Sequence, residues 1–430
     1  MDRICDVVIV GTGAAGLFCA LNFPAQVNIR MITKQKAEES DSFLAQGGIC
    51  MLRGEEDYPD YFEDTMRAGH YENDKKAVDL MIRSSNSMIR ELIRYGVRFE
   101  YEGDNGQLAF TKEGAHSQPR ILFHEDVTGR EITSTLLARV RERPNVVIDE
   151  YTTMVDILSD GNVCGGIVAV GPSGERFCIK APNVVLACGG IGGLYKNSTN
   201  FPHMTGDALA IALKHGVEVS HLDYIQIHPT TLFSEKPGRR FLISESVRGE
   251  GALLYNKDGK RFTDELQPRD LLSEAIWKQM EADGTDYVWE DMRPIGKETI
   301  LQHFPNIYEH CLEEGFDVLK EPIPVVPAQH YHMGGIAVNL ASETSMDGLY
   351  AVGEASCNGV HGKNRLASNS LLESLVFAQR AADDILFGSR HQGCDAGTVH
   401  MEEYEDMEQL FGKYRSMIFS EIEREKNCAQ

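Results

Sequence analysis

Hydrophobic and polar positions fall into distinct patterns along the chain. Residues 4–10 (ICDVVIV) form a short β-branched run, which predicts a buried strand. Gly11 ends it, residues 14–22 (AAGLFCALN) have helical composition, and residues 27–32 (VNIRMI) predict a second strand. The chain therefore opens with a strand–turn–helix–strand unit. Within 74–95, Val78, Met81, Ile82, Met88, Ile89, Leu92 and Ile93 predict an amphipathic helix. Residues 128–142 predict another, with Thr128 as its N-cap. Residues 146–170 alternate apolar and polar around Gly161, Gly165 and Gly166, and predict antiparallel strands. Residues 183–190 and 348–353 each predict one more buried strand.

Across 222–331 the pattern breaks up. Pro229, Pro237, Pro268, Pro294, Pro305, Pro322, Pro324 and Pro327 divide this stretch into short elements, with one helical piece near 269–281. It reads as an insertion into the first domain. From 399 the chain turns acidic and helical, with Tyr404, Met407, Phe411, Tyr414 and Ile418 forming a stripe that packs on the body. The expected fold is α/β. A Rossmann-type domain (1–221 and 332–390) would carry an inserted α+β capping domain (222–331), followed by a short helical tail (391–430).

Charge narrows the function. The sequence has 42 basic and 65 acidic residues, a net charge of −23, which excludes the broad positive surface of a nucleic-acid binder. An anionic substrate would need a local cluster of cations. The N-terminus is too charged for a signal peptide, and no stretch approaches the ~18 apolar residues of a membrane span. Ten scattered cysteines, none in a CxxC pair, suggest a reducing cytoplasm.

The strongest local signal is GTGAAG, residues Gly11, Thr12, Gly13, Ala14, Ala15 and Gly16. It stands directly after a strand and before a helix. Glycines there let the backbone approach a pyrophosphate, and the helix N-terminus offers unpaired N–H groups. The acid that holds a ribose in NAD sites is expected about 20 residues on. Here the second strand ends in Thr33-Lys34, which weakens an NAD reading. Glu354, at the carboxyl edge of the 348–353 strand, is placed to accept from a ribose or ribityl hydroxyl, which favours a flavin dinucleotide.

Several long segments, in order, resemble the succinate dehydrogenase/fumarate reductase flavoprotein superfamily, and within it the L-aspartate oxidase family. They include AQGGI (45–49), TKEGAHS (111–117), VTGREI (127–132), GLYKNSTN (193–200), IQIHPT (225–230), SESVRGEGA (244–252), IPVVPAQHYHMGGI (323–336) and HGKNRLASNSLLE (361–373). The resemblance implies FAD contacts from residues 12–15, Lys34, Asp41, Ser42, Gln46, Gly47, Gly48, Asp207, Glu354, Ser370 and Leu371. The tethering histidine of many relatives would stand five positions before Gln46. Asp41 stands there instead, so FAD would be held non-covalently, and membrane-bound relatives are disfavoured.

The resemblance also implies a C4-dicarboxylate site. Such a dianion needs separated cationic anchors, and arginine grips a carboxylate with two hydrogen bonds. Arg365 and His330 would hold one carboxylate. His228, with Ser244 and Glu245, would hold the other, and Gln226 would line the same site. Arg269 matches the proton-exchanging arginine, with Arg248 shaping the site or supporting the relay. Glu113 would face the substrate ammonium that succinate lacks. His332 follows His330 by two residues, but no third ligand is in sight, so no metal is expected. The implied activity is oxidation of L-aspartate to iminoaspartate, with oxygen or fumarate as acceptor, feeding quinolinate synthase in NAD synthesis. The alternatives are a soluble fumarate reductase, which needs every anchor except Glu113, and a non-catalytic FAD-binding scaffold. Cys188, Lys363, a short 261–269 loop and a tail of about one helix depart from the family pattern; the tail puts oligomer contacts in doubt.

Overall fold

The computed structural model describes residues 3–103, 106–388, 394 and 400–428; the expected boundary at 390/391 lies outside them. Its centre is a five-stranded parallel sheet. In spatial order the strands are Leu349–Ala351, Asn183–Leu186, Val7–Val10, Ile29–Ile32 and Val146–Asp149. Alternation along Val7–Val10 explains why both faces are covered. Val7 and Ile9 join a core with the helices Ala14–Leu21, Lys75–Tyr95, Thr128–Arg141 and Asn369–Phe387. Val8 and Val10 join a second core on the opposite face, with Asp207–Lys214 and the tail residues Tyr414, Ile418 and Ile422. The parallel sheet is thus buried on both sides, as its continuous apolar strands require.

Residues 222–331 build most of a separate antiparallel sheet, ordered Ile225–Leu232, Ile323–His332, Val288–Asp291 and Leu253–Tyr255. Leu232, Leu254, Leu272, Ile276, Val288 and Ile323 give it a core of its own. The helix Arg269–Asp283 packs on this sheet and brings Arg269 to its first turn.

Four local expectations change. The 4–10 run is two strands. Arg3–Ile4 pairs in parallel with the Arg176–Lys180 strand, and the backbone then switches partner, from Lys180 at Cys5 to Asn28 at Asp6. Residues 146–149 are not antiparallel but form the parallel edge of the central sheet. Tyr151, at φ 53, turns the chain before the antiparallel pair Thr153–Asp160 and Val163–Val170 begins. Thr128 is inside its helix rather than capping it; its hydroxyl accepts from the His124 N–H at 3.0 Å. Ile93 is largely outside the core, since Lys75–Tyr95 is ending there at Gly96. The tail stripe packs as expected. Tyr404 and Tyr414 donate to Asp156 and to the Val155 carbonyl, both at 2.6 Å.

Candidate active site

One continuous cleft runs from the first glycine turn to the capping sheet. At one end, Gly11 has φ 114, and a Cβ there would lie 2.2 Å from the Ala187 carbonyl oxygen. A Cβ on Gly16 would meet Gly11 O at 2.3 Å. Only glycine allows this tight strand-to-helix turn. Gly13 gives Ala14–Leu21 no side-chain cap, although Ser42 accepts from Ala14 N at 3.1 Å. The helix end is therefore available to an anion.

Further along, one Asp41 oxygen accepts from Phe201 N at 2.8 Å, while its other oxygen is buried without a partner. Burial lifts its carboxyl to about 7, against the pull of that N–H and of Arg239. Glu354 accepts from His332 N at 3.0 Å, and burial, reinforced by Asp41, lifts it to about 8. Lys34 lines the cleft, but its ammonium is held by Asp207, Thr205 and the His203 carbonyl.

The other end gathers the cations. Arg365 is 5% exposed; its NH1 donates to Ser370 at 3.1 Å, its Nε has no partner, and it lies 4.9 Å from the Tyr331 ring centre. Burial, then the nearby Arg269, lowers it to about 10. Arg269 donates to Glu245 at 2.5 Å and to Gln226 at 3.0 Å. Burial works to raise Glu245, but Arg269 and Arg248 outweigh it and pull it down to about 2. His228 and His330 lie 5.3 Å apart, ring centre to ring centre. Burial, with the neighbouring arginines, holds both well below the ordinary histidine range. Thr199 bonds His330 Nδ1 at 2.8 Å, which leaves Nε2 for a ligand. The Ile243 carbonyl takes a hydrogen bond from His228 Nε2 at 2.9 Å, leaving Nδ1 buried and unpartnered.

Glu113 is 6% exposed and accepts from Ser368 at 2.6 Å and from Ser246 at 3.5 Å. Burial and the Glu245 charge raise its carboxyl. An acid here has hydroxyls for company but no cation in direct contact among the described residues. The cluster therefore presents cations for carboxylates and one carboxylate for a cation.

Residues 6–371 match the family model described as FAD binding domain. The chain is 50% identical over 386 residues to an L-aspartate oxidase of Clostridium perfringens, covering 90% of this chain and 87% of that relative. An L-aspartate oxidase of Clostridium acetobutylicum is 46% identical over 381 residues, 88% of this chain and 87% of the relative. The chain belongs to the L-aspartate oxidase family. Among solved structures, an E. coli quinol fumarate reductase matches with a TM-score of 0.84 at 31% identity, covering 96% of this chain and 74% of that one. Mycobacterium smegmatis Sdh1 matches with 0.80 at 31% identity, covering 95% and 73%. FAD is the family's cofactor, and the cleft fits it. The glycine cradle and uncapped helix end suit a pyrophosphate, and the unpartnered buried oxygens of Asp41 and Gln46 await donors.

The structure brings most of the expected residues to this cleft: Gly11, Thr12, Gly13, Ala15, Asp41, Ser42, Gln46, Gly47, Gly48, Asp207, Glu354, Ser370 and Leu371, with Glu113, His228, Ser244, Glu245, Arg269, His330 and Arg365. Four stand behind it. Ala14 and Gly16 shape the turn. Gln226 links Arg269 to the Arg365 carbonyl at 2.8 Å and to Asn364 at 2.7 Å. Arg248 donates to the Glu265 carbonyl at 2.7 Å, with Nε and the other terminal nitrogen unpartnered. His332 is buried and bonded to the Leu222 carbonyl. Sequence reasoning passed over Thr199, Ser246, Ser368 and Asn364. All four lie inside the motif segments quoted above, so the signal was present; only the fold says which neighbours of an anchor touch it. Arg239, also lining the cleft, stands outside those segments, and only packing reveals it.

Proposed function

We propose that this chain binds FAD without a covalent link and oxidises L-aspartate to iminoaspartate, the first step of NAD synthesis from aspartate through quinolinate. The observation that carries this reading is the buried carboxylate of Glu113 close to Arg269 and Arg365 in the cluster of cations. A plain dicarboxylate has no use for that negative charge, whereas an α-ammonium does.

Bound FAD supplies the two-electron acceptor for the Cα–H bond, and oxygen or fumarate then takes the electrons. The chain's own groups do the rest. Arg365 and His330 Nε2 hold one substrate carboxylate. Ser244 and His228 face the other, and the incoming negative charge draws a second proton onto the His228 ring. Glu113 orients the ammonium and takes its proton, leaving the neutral amine that the oxidation requires. Burial and the Glu245 charge raise its carboxyl, which strengthens it as a base toward that proton. Arg269, ion-paired to Glu245 and backed by Arg248, offers a route for protons between the site and the capping region. A guanidinium is a poor acid alone, so the Glu245 partner is essential to that route.

The imine hydrolyses readily in water, so a consumer such as quinolinate synthase must act promptly. No helix of the described residues is long and apolar enough to cross a membrane. Cys19, Cys50 and Cys311 are buried thiols, which supports our placing of the enzyme in the cytoplasm.

The test is anaerobic bleaching of the bound flavin. L-Aspartate should reduce it, and succinate should do so far more slowly. Equal rates would return the chain to the succinate–fumarate class.

A further inference from the structure

We infer that His116 is a positioning residue that sets the preference for an amino dicarboxylate by holding Glu113 in register, with Arg120 fixing the ring that does so. The inference rests on the reading of Glu113 as the ammonium partner.

The geometry is a double tie. Glu113 accepts from the Ser368 hydroxyl at 2.6 Å, and His116 Nε2 bonds the carbonyl of the adjacent Ala367 at 3.0 Å. The 113–116 turn is thus fastened to residues 367–368 through a side chain at each of its ends. Its own backbone bond is long, at 3.4 Å from His116 N to Glu113 O, and Ala115 sits at φ 66, where a non-glycine residue is strained. A strained turn holds its shape only when its surroundings dictate it.

Arg120 supplies that dictation. It is fully buried, and its NH1 contacts His116 Nδ1 at 3.0 Å. A guanidinium only donates, so Nδ1 accepts and the ring proton must sit on Nε2, aimed at Ala367 O. Burial, with the Arg120 charge, keeps the ring neutral, near 4. Asp57 and Asp64 hold Arg120 at 2.8 and 2.7 Å, and Asp64 also takes Ser117 N and Oγ at 2.7 and 2.6 Å. Glu113 therefore cannot drift from Ser368 unless this chain of fixed donors gives way. Losing the His116 tie frees Glu113 while leaving Arg365, Arg269 and both histidines in place.

The experiment uses the FAD-loaded enzyme, with kcat/KM for L-aspartate and calorimetric affinity for succinate, a dicarboxylate with no ammonium. Glu113→Gln should cost aspartate about ten- to hundred-fold, as for a lost charge-assisted bond, and leave succinate affinity within about three-fold. His116→Ala should reproduce that selective loss with flavin content unchanged. His116→Gln, whose amide can accept from Arg120 and donate to Ala367 O, should restore most of it. In the double variant, His116→Ala should add almost nothing to Glu113→Gln, because both act through one group. If Glu113→Gln is selective but His116→Ala weakens both ligands alike, or the double variant is additive, the positioning role is overturned alone. If Glu113→Gln itself weakens both ligands alike, the reading of Glu113 falls and the inference with it.

Discussion

Arg365→Leu should make the ligand-free protein more stable and the enzyme far worse. Arg365 is buried, has no carboxylate in ion-pair contact among the described residues, and shares its surroundings with Arg269. Burial and that neighbour bring its pKa down to about 10. A base with a depressed folded-state pKa destabilises the fold, and at neutral pH, below both values, the whole penalty is present. The shift corresponds to about 3 kcal/mol. Against it stand the Tyr331 contact and the Ser370 hydrogen bond, together worth about 1–2 kcal/mol. Leucine should therefore gain about 1–2 kcal/mol, a rise in Tm of roughly 1–2 °C. The substrate loses its carboxylate partner, at about 2–5 kcal/mol, or roughly 30- to 5000-fold in kcat/KM. Differential scanning fluorimetry on the apoprotein and steady-state kinetics on flavin-loaded enzyme measure the two arms. A variant that melts lower would make Arg365 a structural residue. Unchanged kcat/KM at full flavin content would remove it from the substrate site.

Two further outcomes follow from buried acids. Asp41 stands in place of the tethering histidine, so acid precipitation should release all the yellow colour; colour left in the pellet would refute non-covalent binding. Glu290 is wholly buried with neither carboxylate oxygen partnered, and burial lifts it to about 8 despite Arg248. Its folded pKa lies above its unfolded value, so its contribution is intact below about pH 4–5 and is lost as pH rises through 8. Glu290→Gln should leave Tm near that of the parent at pH 5 and raise it at pH 8.5, by an amount reflecting a few kcal/mol; a pH-independent difference would count against a titrating Glu290.

The first βαβ unit was readable because its chemistry is local. Gly11, Gly13 and Gly16 must be glycine for the turn to close, and strand periodicity surrounds them. The 146–149 strand was misread because an apolar alternation does not say which neighbour it will meet; Ile29–Ile32 lies over a hundred residues earlier. Lys34 was readable as a cleft residue, but its engagement with Asp207 depends on a helix that starts some 170 residues later. The motif arginines and histidines could be named from sequence. Their division into groups that face the cleft and groups that stand behind it, such as Gln226 and Arg248, could not, because register in the capping sheet decides it. Arg120 is the clearest omission. An arginine in a polar loop looks solvent-exposed, and only Asp57 and Asp64, brought from a distant helix, make it a buried pillar.

The order of strands in the central sheet bears on how the chain reaches its fold. Asn183–Leu186 pairs on one side with Val7–Val10, already synthesised, and on the other with Leu349–Ala351, still to come. At roughly 5–20 residues per second of synthesis, that edge stays open on the ribosome for on the order of ten seconds or more. An unpaired, largely apolar strand edge is the kind of surface that recruits another chain. Everything between, the capping sheet included, must emerge before the edge is closed. Glu354 arrives with the closing strand, and Arg365, Ser370 and Leu371 follow it, so the cleft lacks these groups until then. Cofactor loading is thereby tied to the last stage of assembly.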